Sequence, residues 1–217
     1  MNDLTLIEKR GKPYADSREV AEMIGKKHSH LLRDIEKYIN VISENPTLDS
    51  QSFFVQASYK SIGNNRTYPM YYLTRKGCDM VANKLTGGKG ILFTAVYVDR
   101  FHAMEGALRD RKEAREQGKL VRRGFTDAIK LFIELAESQG HHGTAKNAYC
   151  NLTRLVKKQL GTREDADAGQ LAMIAAMEEF LKANILPLVS AGLDAKAIFQ
   201  TCKERSEAFA GIARLTA

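Results

Sequence analysis

The sequence predicts an α+β fold, in which a mixed N-terminal domain precedes an all-α helical bundle. Residues 17–42 hold two helix-forming segments on either side of Gly25. Residues 53–73 change to the alternating period that is typical of strands. Residues 125–215 show helical periodicity only. The chain of 217 residues is long enough for two domains of this kind.

The segment around Gly25 is typical of a helix-turn-helix unit. Ser17 is a good N-cap for a helix over 18–24, and Gly25 suits a helix stop because it tolerates a positive φ. A second helix is predicted over 29–42. The small residue Ala21 lies four positions before Gly25, a spacing that lets two helices cross closely.

A β-hairpin is predicted after these helices. Residues 53–60 and 66–73 alternate in polarity, and residues 63–65, Gly-Asn-Asn, tolerate the left-handed conformations of a tight turn. Pro69 cannot donate to a ladder, so its strand is predicted at a sheet edge. A hairpin in this position is typical of a wing, so the N-terminal domain is predicted to be winged-helix-like.

The tyrosines of the hairpin allow two interpretations. Tyr59, Tyr68 and Tyr72 fall on one face of the alternating pattern. The first interpretation is that this face covers the hydrophobic core, and it is the one that we expect. The second is that the rings form a platform on which nucleobases stack.

The rest of the sequence is predicted to be helical. Thr74 is predicted to cap a helix that ends near 85, residues 86–90 form a turn, and a long helix starts at Ile91. Four further helices are predicted at 125–138, 144–160, 167–189 (with a possible kink at Pro187) and 194–215. The predicted domains are residues 1–108, a charged linker at 109–124, and a helical domain at 125–217 for oligomerisation or partner binding.

Composition points to an intracellular protein. Cys78, Cys150 and Cys202 are odd in number and form no CxxC pair, so we expect small buried hydrophobes and neither disulfides nor zinc. No apolar run approaches the ~18 residues that span a bilayer. We expect a cytoplasmic protein, with no membrane partner, no metal and no cofactor. No catalytic constellation is visible, so we expect no enzyme.

The charge pattern supplies a candidate DNA interface. The net charge is +7 and the isoelectric point about 9.3, which permits phosphate binding. The second helix and the hairpin carry donors that suit phosphates or base edges. The candidate contacts are Lys26, Lys27, His28, Ser29, His30, Arg33, Lys37, Lys60, Asn64, Asn65 and Arg66. The alternative is an ordinary helical corner with a solvated basic face.

Several stretches together resemble the phage regulatory protein Rha family. They are 16–21 (DSREVA), 25–28 (GKKH), 31–35 (LLRDI), 53–54, 58–59, 69–77 (PMYYLTRKG), Phe93, Tyr97, Phe101 and 104–105. The stretches 127–130 (DAIK) and 149–155 (YCNLTRL) resemble C-terminal domains that accompany phage antirepressor-like proteins. The resemblance implies a regulator from a temperate phage or prophage, and it carries over no DNA-contact residues.

Two functions are therefore predicted. The first is a transcriptional regulator that binds double-stranded DNA through the second helix and the wing, and that self-associates through its C-terminal domain as a homo-oligomer. The second is an antirepressor that binds a phage repressor protein and needs no DNA.

Overall fold

The computed structural model describes residues 4–61, 63 and 66–215. The chain divides into two compact units, Met1–Leu108 and Arg109–Ala217. The first unit contains a sheet and helices and the second contains helices, so the predicted α+β class is confirmed. One helix, α4 (Gly88–Ser138), contributes residues to both units.

The sheet of the first unit has four strands in the order β1-β2-β4-β3. They are β1 (Leu6–Lys9), β2 (Lys12–Asp16), β3 (Phe54–Lys60) and β4 (Thr67–Leu73), all paired antiparallel. The β3–β4 hairpin confirms the prediction. The β1–β2 hairpin was missed; Arg10 and Gly11 join it at φ values of 52° and 74°, the positive pair that a two-residue hairpin turn requires.

The prediction that Pro69 marks an edge strand is wrong. β4 lies between β2 and β3, but β2 pairs only with the last two residues of β4, Tyr72 and Leu73. Opposite Pro69, β4 therefore has a strand partner on one side, where Ser58 of β3 is its neighbour. Because no β2 residue faces Pro69, its missing N–H breaks no ladder.

Two helices follow β2 directly. They are α1 (Ser17–Met23) and α2 (His28–Ser43). The N-cap of α1 is Asp16, whose carboxylate accepts from the Arg18 amide, so the assignment of Ser17 as the cap is wrong by one residue. Both residues are suitable caps by type, and β2 continues through Asp16.

A short 3₁₀ turn (Ser50–Ser52) precedes β3, and α3 (Arg75–Ala82) follows β4. Thr74 caps α3 through its hydroxyl, which accepts from the Gly77 amide, and this confirms the prediction. The core of the unit lies on one sheet face, where α1, α2, α3 and the first part of α4 contribute side chains. The largest buried ones are Leu31, Ile35, Phe54, Leu73, Phe93 and Phe101.

The second unit consists of the C-terminal part of α4 with three more helices. They are α5 (His142–Leu160), α6 (Ala168–Ser190) and α7 (Ala195–Leu215), which confirms the predicted positions. Pro187 lies inside α6, which continues past it. Residues 109–124 have helical backbone within α4, and their role as a linker stays a prediction.

Two of the three cysteines are buried as predicted. Burial raises the pKa of Cys202 to about 11 and raises that of Cys78 further, so both thiols stay protonated. The prediction for Cys150 is wrong, because this residue is exposed on α5. The buried positions of α5 are Ala145, Ala148, Leu152 and Val156, and Cys150 falls between their turns on the outer face.

A buried carboxylate holds the second unit together. Glu178 of α6 is 1% exposed and accepts from Arg122 at 2.7 Å and from Arg163 at 2.5 Å. Arg122 also donates to the Tyr149 hydroxyl at 2.9 Å, which connects α4, α5 and α6. The two guanidinium groups offset the desolvation free energy of the buried carboxylate. Removal of any one of the three groups therefore leaves a charge without its full set of partners.

Removing this carboxylate should destabilise the second unit strongly. Glu178→Ala should lower its free energy of unfolding by about 3–5 kcal/mol, because two partly buried arginines lose their counter-ion. Denaturant unfolding followed by circular dichroism, with hydrogen exchange to localise the loss, measures this.

The neighbouring residue provides a matched control. Glu179 pairs with Lys182 at 2.8 Å on the exposed side of α6, so Glu179→Ala should cost less than about 1 kcal/mol. Similar losses for both variants would contradict a special role for the buried carboxylate.

Candidate nucleic-acid interface

The turn between α1 and α2 has the hydrogen bonds of a Schellman motif. The Gly25 amide donates to Glu22 O at 3.0 Å and the Lys26 amide donates to Ala21 O at 2.8 Å. Gly25 has φ +67°, the left-handed value that glycine adopts without strain. Ala21 is buried, as a close approach of the two helices requires. The predicted helix–glycine–helix element is confirmed in its local geometry.

Helix α2 has one buried and one exposed face. Its buried face carries Leu31, Ile35 and Ile42. Its exposed face carries His30, Arg33 and Lys37, which follow at spacings of three and four residues and so form one stripe. Lys27 and Ser29 are exposed at the N-terminal end of the same helix. These five residues therefore share the outer side of α2.

Two other predicted contacts have partners within the unit. The ammonium group of Lys26 forms an ion pair with the carboxylate of Asp34, in the second turn of α2. His28 is half-buried, and its Nε2 lies 2.9 Å from the Ser17 hydroxyl. The Tyr71 amide donates to that same hydroxyl at 3.0 Å. The Ser17 hydroxyl therefore connects the Tyr71 amide of β4 to the His28 imidazole of α2.

His28 also brings the helix and the hairpin together. Its ring meets the Tyr59 ring of β3 edge-on, with centroids 6.2 Å apart. Burial lowers the pKa of His28; Asp16 opposes this shift and Arg18 adds to it. At neutral pH the His28 imidazole is therefore uncharged. It connects α2 to β3 and does not supply a positive charge for phosphate binding.

The hairpin supplies the remaining predicted contacts. Lys60 is exposed at the last position of β3, opposite Thr67. Arg66 is exposed just before β4, and its carbonyl accepts from the Ser61 amide at 3.3 Å, which closes the hairpin. Asn64 and Asn65 lie outside the described residues. The described part of the hairpin thus ends in two exposed basic side chains.

The expectation that the hairpin tyrosines cover the core is wrong. The strand register pairs Tyr59 with Tyr68 and Val55 with Tyr72, and alternation puts these pairs opposite the core residues Phe54, Tyr71 and Leu73. The rings lie half-buried or exposed on the second sheet face. We call this surface the tyrosine face; it consists of Tyr14, Tyr59, Tyr68 and Tyr72 with Lys9 and Arg18.

Sequence reasoning missed three members of the tyrosine face. Lys9 and Tyr14 belong to the β1–β2 hairpin, and Arg18 lies on α1. The Lys9 ammonium lies 3.6 Å from the Tyr72 ring centroid, and the Arg18 guanidinium carbon lies 4.3 Å from that of Tyr59. The signal that was available is the Arg10-Gly11 turn between two short alternating segments.

Other kinds of site find no support in the part of the chain that the structure describes. No group of three or more histidine, cysteine, aspartate or glutamate residues there could hold a metal ion. None of the described helices combines the length and the apolar character needed to cross a bilayer.

Comparison with known proteins finds a family that is similar to the first unit. Residues 15–106 match the model of the family described as phage regulatory protein Rha. These residues make up most of the first unit, which is therefore similar to that family along most of its length. The match includes α1, α2 and the β3–β4 hairpin, so the predicted contacts lie within the matched residues.

One curated relative is described as the SPbeta prophage-derived putative antirepressor protein YoqD of Bacillus subtilis (strain 168). It is 53% identical to this chain over 108 residues, which is 50% of this chain and 42% of the relative. The chain thus aligns with less than half of that relative's length. No solved structure gives a significant match.

The neutral state of His28 makes a testable prediction about pH. Because folding lowers its pKa, the unfolded chain takes up this proton first as the pH falls. The stability that neutral His28 contributes is complete above the ordinary histidine pKa of about 6.5 and decreases as the pH falls below it. An NMR titration of the His28 Cε1 proton should give a midpoint below about 6.5.

The variant His28→Gln assigns the NMR signal of the His28 Cε1 proton and tests how His28 affects the pH dependence of stability. Glutamine keeps an acceptor for the Ser17 hydroxyl but does not titrate, so part of the loss of thermal stability below pH ~6.5 should disappear. A midpoint at or above that value, or an unchanged pH profile in the variant, would count against a neutral His28.

Proposed function

We propose that the first unit, which is similar to the Rha family, binds double-stranded DNA and regulates phage or prophage genes in the cytoplasm of a bacterial host. Helix α2 enters the major groove with its N-terminal end first, and the β3–β4 hairpin contacts the sugar–phosphate backbone as a wing does. The observation that carries this proposal is the exposed stripe of His30, Arg33 and Lys37 on α2. The function needs no catalytic group and no cofactor.

The contact between helix and hairpin supports a single interface. His28 touches Ser17 of α1 and Tyr59 of β3, so the start of α2 is fixed against the hairpin. Lys60 and Arg66 lie on that hairpin, beyond Tyr59. A duplex that receives α2 in its groove has phosphates on either side, and the basic residues of a wing neutralise them.

The charges of α2 favour base reading over general attraction. Arg33 and Lys37 are offset within the helix by Asp34 and Glu36, so its formal charge is zero apart from its histidines. Such a helix gains little from phosphate attraction alone. Arginine, by contrast, forms two hydrogen bonds with one guanine, which discriminates between base pairs.

A second candidate is an antirepressor that binds a phage repressor protein. It is favoured by the similarity to the Bacillus subtilis relative, which is described as a putative antirepressor. The balanced charge of α2 also fits a protein surface, since mixed charges set orientation between proteins. In this case the exposed stripe of α2 meets the repressor, and DNA affinity is weak and independent of sequence.

Two substitutions separate these functions. Arg33→Ala should weaken binding to the cognate control region by ~1–3 kcal/mol and relax specificity at one base pair. Lys60→Ala should weaken all DNA sequences alike and reduce the salt slope by about one unit. Anisotropy titrations against the control region and scrambled DNA, with and without the repressor, measure both effects.

Arg154→Ala is a suitable control, because Arg154 is an exposed arginine on α5 of the second unit. It should leave binding to either DNA unchanged. Equal affinity of the protein for cognate and scrambled DNA, together with release of the repressor from its operator, would reject the DNA-binding regulator and support the antirepressor.

We also propose that the second unit mediates self-association. Phe180 of α6 packs on Phe209 of α7 with ring centroids 5.3 Å apart, and Ile212 lies one turn further along α7. Phe180 is 36% and Ile212 66% exposed, so the three form an apolar patch at the surface. Symmetric homo-oligomers commonly bury such a patch against its own copy.

Ile212→Ser should shift the full-length protein towards the monomer, because it puts a polar group into the patch. Light scattering over a range of concentrations measures the change. Leu120→Ser removes a similarly exposed apolar side chain that belongs to α4, and it should leave the mass unchanged. A protein that is monomeric at high concentration before any substitution would reject self-association.

A further inference from the structure

We infer that the tyrosine face binds single-stranded nucleic acid by stacking of unpaired bases. This site is separate from the α2 stripe and does not depend on the binding of duplex DNA. Four tyrosine rings on one sheet face, with cations beside them, form the kind of platform on which unpaired bases stack.

The rings are arranged in two groups across the sheet. Tyr59 and Tyr68 stack on each other with centroids 5.7 Å apart, and Tyr14 and Tyr72 meet at 6.2 Å. Tyr68 and Tyr72 are four residues apart on β4, which separates the groups by about 13 Å. The face therefore offers two stacking positions to one extended strand.

Each ring group has its own cation. The ammonium of Lys9 lies over Tyr72 at 3.6 Å, and the guanidinium of Arg18 lies over Tyr59 at 4.3 Å. Such cations hold a ring in place and attract the phosphates between neighbouring bases. Lys12 shares this face by register with Lys9. A strand that crosses the face thus meets positive charge near both ring groups.

Acidic groups do not oppose an anionic strand here. Among the described strand residues of this face, Asp16 is the single acid, and it is 3% exposed. Its carboxylate accepts hydrogen bonds from the Arg18 amide and guanidinium at 2.5–3.1 Å. Asp16 therefore fixes Arg18 in position without presenting negative charge to a ligand.

The chemistry favours an unpaired strand over a duplex or a protein. Bases in a duplex are already stacked, so their faces cannot reach a flat sheet. A protein partner would be expected to use a broader apolar centre, but the one methionine between the ring groups, Met70, is only 1% exposed. Half-exposed rings with adjacent cations suit bases and phosphates together.

The test uses the full-length protein with labelled oligothymidine and oligouridine. Each oligonucleotide has about twelve nucleotides, a length within the range that single-strand-binding domains cover. Tyr68→Ala should weaken binding about tenfold, the loss of one stacked base. Tyr68→Phe should bind within about twofold, because the ring remains. The chain has no tryptophan, so quenching of tyrosine fluorescence gives a second readout. Comparison of the two oligonucleotides separates DNA from RNA.

Two controls make the outcome decisive. Tyr149→Ala removes a tyrosine of similar exposure, 44% against 36% for Tyr68, from the second unit and should have no effect. Arg33→Ala should leave oligothymidine binding unchanged while it weakens duplex binding. Failure to bind either oligonucleotide, or equal effects of Tyr68→Ala and Tyr149→Ala, would overturn the inference. If single strands bind but duplex DNA does not, the inference stands and the proposed duplex-binding regulator fails.

Discussion

The hydroxyl group of Ser17 connects the elements on which the first unit depends. It is fully buried where β2 passes into α1, it accepts from the Tyr71 amide of β4, and it meets Nε2 of His28 in α2. The bond to Tyr71 continues the pairing of β4 where β2 has ended. Because His28 then reaches Tyr59 in β3, one hydroxyl fixes α1, α2 and the hairpin relative to one another.

The periodic patterns allowed the α2 helix and the β3–β4 hairpin to be predicted, because each is a local property of its own segment. The β1–β2 hairpin was not found, since its strands are short and its turn holds a single glycine. That omission also caused the error at Pro69. A strand's neighbours follow from long-range pairing, and the residues of β4 alone do not show that β2 covers only its last two positions.

The error at the tyrosines has a different physical origin. Alternation shows that Val55, Ala57 and Tyr59 share a face, but it does not show which face meets the core. The two faces of β3 are similar in polarity, and Phe54 decides the matter by entering the core with Leu73 beside it. In the same way, the sequence shows the donors Lys26 and His28 but not their partners Asp34 and Ser17, which remove them from the set of free cations.

The partners of Lys26 and His28 change which residues of the proposed interface supply positive charge for nucleic acid. With Lys26 paired to Asp34 and His28 neutral, the outer side of α2 retains Lys27, Arg33 and Lys37, and Glu36 offsets one of them. A helix with so small a surplus of charge selects among ligands more readily than it attracts them. Further positive charge lies on the strands, at Lys9 and Lys12 of the first hairpin and at Lys60 of the second. In the proposed interfaces, α2 would therefore read the duplex, while the strands that carry the tyrosine face would supply further electrostatic attraction.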